Sequence, residues 1–426
     1  MRILFFSEQS PFLRNRVGGA ENSMRLIAEG MAARGHEVTY ASLRPDMVPF
    51  ARETSVNGVR LLLLPGPRRS LRARLGRRLE QRLGLRPGRI GASLDAAAWA
   101  RVRRRLFGTG AGEAGADGRR RFDLLYAFYE MDFLDQALAA RAAEAAGMVI
   151  VLRMAGVSWH DAILAGGGPG SPAAARYDRV FNGVDAINYL SDRSRALVEA
   201  KAAEAGLGLA PGFGPRGAFV ADIGVDVGRV ARSWDGPSPG PGLEILVATR
   251  FSRPQKRQDL LIEALGLLRD RLAFRVTMVG IGETVAEVTR RRDALGLADR
   301  VEIRPFLPQD ALWAAMRRAD LLCHPCDHEG VSKIILESMM LGLPVLASDV
   351  PPLPDYVIEG ETGYRVANTP EAWAAKLLEI AARKDRLPAL STSARAFVET
   401  TYDTGRNIGL YEARFRELTE DRPGMA

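Results

Sequence analysis

The sequence predicts an α/β protein built from two doubly wound parallel-sheet domains. Three observations carry that prediction. Short apolar runs alternate with helix-length amphipathic segments along most of the chain, as expected of strands joined by crossover helices. The alternation stops once, at Asp235–Gly242, where DGPSPGPG packs three prolines and three glycines into eight residues. Such a stretch can be neither helix nor inner strand and reads as a linker. Finally, 426 residues at 47% hydrophobic are enough for two or three cores and exclude wholesale disorder.

Before the break, strands are expected at Arg2–Phe6, Glu37–Ser42, Val59–Leu64, Phe122–Phe128, Met148–Arg153 and Ala186–Leu190. Helices are expected at Ala20–Arg34, Met131–Ala146 and Ser191–Ala205. Two further leucine-spaced series, Leu71, Leu75, Leu79, Leu83 and then Leu94, Ala98, Val102, Leu106, keep the i, i+4 period of a helix face. After the break come strands Glu244–Ala248, Phe274–Val279, Val301–Arg304, Asp320–His324 and Pro344–Ala347. Between and after them fall helices Gln258–Arg271, Val285–Ala294, Gln309–Arg318, Ser332–Leu341, Glu371–Arg383, Pro388–Thr400 and Thr404–Leu418. The expected division is a domain over 1–234, a linker over 235–242, a second domain over 243–400 and a closing segment over 401–426. Doubly wound sheets bind ligands outside the carboxyl ends of their strands, so a cleft between domains is the expected site.

No apolar run approaches the roughly 18 residues of a membrane-spanning helix, and the opening MRILFFSEQ reads as a first strand rather than a secretory signal. Two cysteines, Cys323 and Cys326, cannot staple a fold of this size and suit a reducing, cytoplasmic setting. The 59 basic residues comprise 54 Arg and five Lys. Sixteen Arg and four acids lie between Gly66 and Arg121, a net +12, which leaves −4 for the rest of a chain whose total is +8. That segment suggests an anionic partner such as a membrane surface, phosphate groups or nucleic acid; solvated helix faces or an interface between copies are the alternatives.

The sharpest constellation is Asp327-His328-Glu329-Gly330-Val331-Ser332-Lys333-Ile334-Ile335-Leu336-Glu337. Glu329 lies just before a predicted helix and Glu337 eight positions later, a spacing that at helical rise and turn sets them about 12 Å apart on neighbouring faces. Between them the amides of Val331, Ser332 and Lys333 open a helix, where unpaired N–H groups and the dipole favour anions. A sugar at one end, a ribose at the other and a diphosphate over the amides fit that layout; an ordinary acidic helix is the alternative. Upstream, Arg250 and Lys256 follow a strand end and can aim cations at a phosphate, or pair with surface acids. Gly19, in Gly18-Gly19-Ala20-Glu21, allows close backbone approach or simply makes a tight turn. His160 is expected on a loop after a strand, as a site residue or a surface His. Cys323-His324-Pro325-Cys326 lacks the further ligands of a zinc site and reads as buried, inert thiols.

Together these stretches resemble the retaining GT-B-fold glycosyltransferases of family four. The resemblance runs through GGAE, Ile223-Gly224-Val225-Asp226, TRFSRPQKRQDLLIEAL, Val279-Gly280-Ile281-Gly282, EGVSKIILESMMLGLPVLASD and Glu361-Thr362-Gly363-Tyr364, and is strongest from about Leu243 to Val366. It implies a GT-B fold of two Rossmann-like domains and a nucleotide-sugar donor held mainly by the second. Glu329 would meet the donor sugar, Glu337 the ribose, and Arg250 and Lys256 the diphosphate, helped by Gly19 and the amides of Val331, Ser332 and Lys333. Phe306 and Leu307 would line the base pocket, and His160 would sit beside the sugar. No metal and no cofactor are expected. Thr249, where the family often has Gly, is a departure, and RMAGVSWHD around His160 is not a close match.

The resemblance further implies that positive charge stabilises a departing nucleoside diphosphate, that the acceptor hydroxyl attacks from the same face, that the domains close over the substrates, and that the last helix returns to the first domain. The acceptor would be a glycan, a lipid-linked carrier or a small molecule. An epimerase or phosphorylase of the same fold uses related parts. A nucleic-acid-binding protein is disfavoured, because the basic segment offers only Trp99 and Phe107 for stacking.

Overall fold

A computed structural model describes residues 1–13, 19–43, 52–65, 78–79, 82, 89–108, 122–143, 147–208, 217–228, 233–253 and 255–420. The chain forms two compact units, Met1–Ala221 with Ile408–Ala426, and Asp222–Asn407.

The first unit runs β1 (Arg2–Ser7), α1 (Gly19–Ala33), β2 (Glu37–Leu43), β3 (Arg52–Val56), β4 (Val59–Leu64), α2 (Arg89–Phe107) and β5 (Leu124–Phe128). It continues α3 (Met131–Ala143), β6 (Val149–Met154), α4 (Ser158–Ala165), α5 (Pro172–Gly183), β7 (Ala186–Tyr189), α6 (Asp192–Glu204) and β8 (Ala218–Val220). Its eight strands lie in the order β3-β4-β2-β1-β5-β6-β7-β8. All neighbours are parallel except the β3–β4 hairpin. Strands such as β1, buried from Ile3 to Ser7, read as unbroken apolar runs because helices cover both faces. Phe6 stacks on Phe133 at 3.5 Å, and Trp99, Val102, Leu106 and Phe107 of α2 bury against the same cluster. Val102 and Leu106 belong to the second leucine-spaced series; the first, from Leu71 to Leu83, lies largely outside the described residues.

The second unit runs β9 (Leu243–Ala248), α7 (Gln258–Leu268), β10 (Phe274–Val279), α8 (Val285–Ala294), β11 (Val301–Arg304), α9 (Gln309–Arg318), β12 (Leu321–His324), α10 (Lys333–Leu341) and β13 (Val345–Ser348). Then follow β14 (Tyr364–Val366), α11 (Pro370–Ala382), α12 (Leu387–Thr401) and α13 (Thr404–Glu420), the last crossing into the first unit at Ile408. Its six strands are all parallel, in the order β11-β10-β9-β12-β13-β14. Alternate β9 side chains feed two cores. Ile245 and Val247 pack with Leu261 and Trp373 on one face, and Leu246 packs with Ile335, Leu336 and Met339 on the other.

The fold class is as the alternation predicts, with three strands added. β3 pairs with β4 across Asn57-Gly58, both at positive φ, the turn an Asn-Gly hairpin favours. β8 and β14 have three residues each, too few for a periodic signal. Asp235–Gly242, expected as a linker between domains, lies inside the second unit. The reason is a buried charge. Asp320 is fully buried and accepts from Ser238 Oγ and Glu244 N, both at 2.7 Å. Lys384 Nζ lies 3.1 Å from the same carboxylate and donates to the Ser238 and Gly242 carbonyls. The second unit begins at Asp222, ahead of the expected 243, and reaches Asn407, beyond the expected 400. Gly224 is needed where the chain enters it: its φ is +68° and an added Cβ would lie 1.7 Å from Tyr402 O.

Candidate donor site

In the second sheet the strand order reverses between β9 and β12, the point where open α/β sheets accept ligands. The segments leaving these two strands pair with each other. Arg257 N donates to Pro325 O at 3.1 Å and Asp327 N to Gln255 O at 2.9 Å, an antiparallel bridge that sets Lys256 beside Cys326. This pairing carries Lys256 to His324, the last residue of β12, and to Glu329.

Lys256 Nζ donates to Glu329 Oε2 and lies 3.2 Å from His324 Nε2. His324 Nε2 lies 2.8 Å from Glu329 Oε2, Gln255 Nε2 donates to Glu329 Oε1 at 3.4 Å, and Gly330 N does so at 3.1 Å. Burial alone would raise the Glu329 carboxyl; the Lys256 ammonium and the His324 hydrogen bond overcome it and hold the group down at about 2. Burial, reinforced by Lys256, lowers His324 and keeps it neutral, against the pull of Glu329. A neutral imidazole has one N–H. Placing it on Nε2 satisfies Glu329 and leaves at Nδ1, which has no hydrogen-bond partner, a bare lone pair rather than a buried donor.

His324, Cys326 and Glu329 could also offer ligand atoms to a metal ion, all within 4.8 Å of one another. The Lys256 ammonium bonds to Glu329 there and already supplies positive charge. Cys326 is no thiolate: burial pushes its thiol up to about 12, and that of Cys323 higher still.

Of the remaining expected residues, Arg250 follows β9, is exposed, and has no carboxylate partner among the described residues. Its carbonyl is pinned by Gln258 Nε2 at 2.9 Å. Glu337 projects half-buried from α10 and accepts from Gln309 Nε2 at 3.0 Å. Phe306 and Leu307 follow β11; Phe306 is 49% exposed, and Leu307 joins Thr277, Arg304 and Ala311 in lining a cavity of about 300 Å³.

Two expectations change. The Ser332 amide is not open to an anion, because it donates to the buried Tyr356 hydroxyl at 3.0 Å. The Lys333 amide lies at the helix start, and its side chain turns away to Gly224 O at 2.5 Å and Asp222 at 3.4 Å. His160 is not on a loop. It sits in the first turn of α4, buried, with Nε2 3.3 Å from Glu204 and its ring edge-on to Trp159. Gly19 opens α1; both it and His160 belong to the first unit.

Sequence reasoning missed His324, Gln255 and Tyr356 as parts of this site. A His closing an apolar strand five residues before Glu329 was the available signal for the first. Tyr356, reached through a later turn, had none.

Two doubly wound units, the second with a cluster of charged side chains at its switch point, define a GT-B-type protein. Family models for glycosyl transferases group 1 and for a glycosyl transferase 4-like domain match residues 233–397 and 18–207. The chain belongs to the GT-B group 1 glycosyltransferases. It is 30% identical over 206 residues to a GDP-mannose-dependent alpha-(1-6)-phosphatidylinositol monomannoside mannosyltransferase of Mycolicibacterium smegmatis, covering 45% of this chain and 51% of that one. It is 34% identical over 153 residues to D-inositol 3-phosphate glycosyltransferase of Thermobispora bispora, covering 33% and 36%. The chain thus spans about half the length, or less, of these curated relatives. Sucrose-phosphate synthase of Thermosynechococcus elongatus shares the fold over 99% of this chain and 100% of its own, at TM-score 0.71 and 16% identity. Anabaena HepE, solved with UDP-glucose, does so over 97% and 100%, at 0.64 and 17%.

Proposed function

We propose that the protein is a retaining, metal-independent hexosyltransferase that moves a sugar from a nucleotide-sugar donor to a glycan, lipid-linked or small-molecule acceptor. The observation that carries this reading is the Lys256–Glu329–His324 cluster beside the start of α10, at the switch point of the second sheet. Lys256 and Arg250 supply charge to a diphosphate, as the helix start does with its dipole. Glu329, held ionised, accepts from donor-sugar hydroxyls, and Glu337 from the ribose. As the glycosidic bond to the diphosphate lengthens, charge grows on the departing oxygen, and preorganised cations lower that barrier. The acceptor hydroxyl attacks from the face the diphosphate leaves and passes its proton to the leaving phosphate oxygen.

The acceptor is assigned to the first unit, at the β1–β5 switch point. There Glu8 N donates to Glu130 Oε1 at 2.7 Å, and burial raises the Glu130 carboxyl far above its ordinary value. A carboxyl so placed can hydrogen-bond an acceptor hydroxyl. The relatives named for inositol phosphate and phosphatidylinositol substrates support a polyol acceptor.

A thermal-shift panel of UDP-, GDP-, ADP- and TDP-sugars tests the donor reading, since a ligand that binds only the folded state raises its midpoint. No shift with any member refutes it. Product analysis then separates the rivals: dependence on free phosphate marks a phosphorylase, and nucleotide release with a new glycosidic bond marks a transferase. No helix among the described residues is long and apolar enough to cross a membrane. A peripheral position at the inner face of the cell membrane is proposed from the +12 segment. Co-sedimentation with anionic vesicles should weaken with salt and with Leu75→Asp; absence of binding at low salt refutes it.

A further inference from the structure

Tyr356 follows a short turn, Leu353–Asp355, and is fully buried, with its ring edge-on to Tyr402 at 5.9 Å. Its hydroxyl accepts from Ser332 N–H at 3.0 Å and donates to Gly330 O at 3.1 Å. Those groups lie two residues apart in the turn that links Glu329 to α10. A phenylalanine would fill the same volume. Only a group that both donates and accepts can satisfy both backbone atoms.

The consequence lies in the peptide between Gly330 and Val331. In a trans peptide the C=O and the following N–H point in opposite directions. Pinning Gly330 O toward Tyr356 therefore turns Val331 N–H away from the core. Were that peptide to flip, a carbonyl oxygen would replace the N–H, and its partial negative charge would repel an anion. The same hydroxyl engages Ser332 N–H, so two neighbouring amides are given opposite tasks.

We infer that Tyr356 is a positioning residue for diphosphate recognition. Its hydroxyl sets the Gly330–Val331 peptide so that the Val331 amide, and not that of Ser332, faces the diphosphate of a nucleotide donor. The inference rests on the donor-site reading above and adds which amide binds and what orients it.

Two measurements test it. UDP and GDP are titrated calorimetrically into the wild type, Tyr356→Phe and Tyr402→Phe. Tyr356→Phe should weaken the preferred diphosphate about tenfold and the matching nucleoside monophosphate less, whereas Tyr402→Phe should leave both within about twofold. A merely structural role would lower the unfolding midpoint without changing the ratio of diphosphate to monophosphate affinity. The second measurement needs no variant. In amide hydrogen exchange on the wild type, Ser332 should be protected with and without nucleotide, while Val331 should slow at least tenfold when UDP or GDP binds. Diphosphate binding unchanged in Tyr356→Phe, or nucleotide protection at Ser332 instead of Val331, overturns this inference alone. A wild type that binds neither UDP nor GDP overturns the donor-site reading and the inference with it.

Discussion

Replacing Lys256 by methionine should reverse the pH dependence of stability around the donor site. In the wild type, His324 titrates below its ordinary 6.5 because burial and the neighbouring ammonium oppose its charge. Its contribution is full above 6.5 and is lost as pH falls through the folded-state value. Lys256→Met removes the ammonium but leaves the Glu329 carboxylate, whose side chain is 13% exposed, beside a neutral imidazole. Breaking a buried pair in this way costs about 3–5 kcal/mol. One proton on His324 restores neutrality, at about 1.4 kcal/mol for each pH unit by which the solution exceeds its pKa. With Glu329 as its nearest charge, the folded His324 pKa in the variant should lie above 6.5, so its stabilisation is present below 6.5 and lost as pH rises. The deficit against wild type should thus be about 3–5 kcal/mol near pH 8.5 and about half that near pH 6.5. Denaturant unfolding at both pH values measures it. A deficit that is flat across this range, or wider on the acid side, refutes the assignment of the charges.

Three further outcomes are expected. Asp320→Ala should cost about 3 kcal/mol in denaturant unfolding, because it strands Lys384 and releases Ser238; a cost below about 1 kcal/mol would show that Asp235–Gly242 is not held by this network. Gly224→Ala should cost about 2 kcal/mol or more, from the left-handed backbone and the clash with Tyr402 O, and wild-type stability would rule out that close approach. Glu337→Ala should leave the unfolding midpoint nearly unchanged while weakening the preferred nucleoside diphosphate about tenfold, the loss of a charge-assisted hydrogen bond. Undiminished calorimetric affinity would remove Glu337 from the site.

What the sequence determined by itself is local. Burial of one face or both sets the period of each element, so β10, α8, β11 and α9 could be placed to the residue. The spacing of Glu329 and Glu337, and the cations before α7, marked the candidate site. Elements without a period escaped: β8 and β14 are too short, and β3, exposed at every residue, carries no alternation to mark it. Only the tertiary structure decided the partners. Lys256 and Glu329 are 73 residues apart in sequence and meet because the sheet order sets β9 beside β12. Tyr356, 24 residues beyond Ser332, reaches back to choose which amide faces out. Asp235–Gly242 reads as a linker because its composition forbids regular structure, yet a buried carboxylate elsewhere in the chain claims it. Periodicity reports how one segment meets the core; it carries no information on which two loops the sheet brings together.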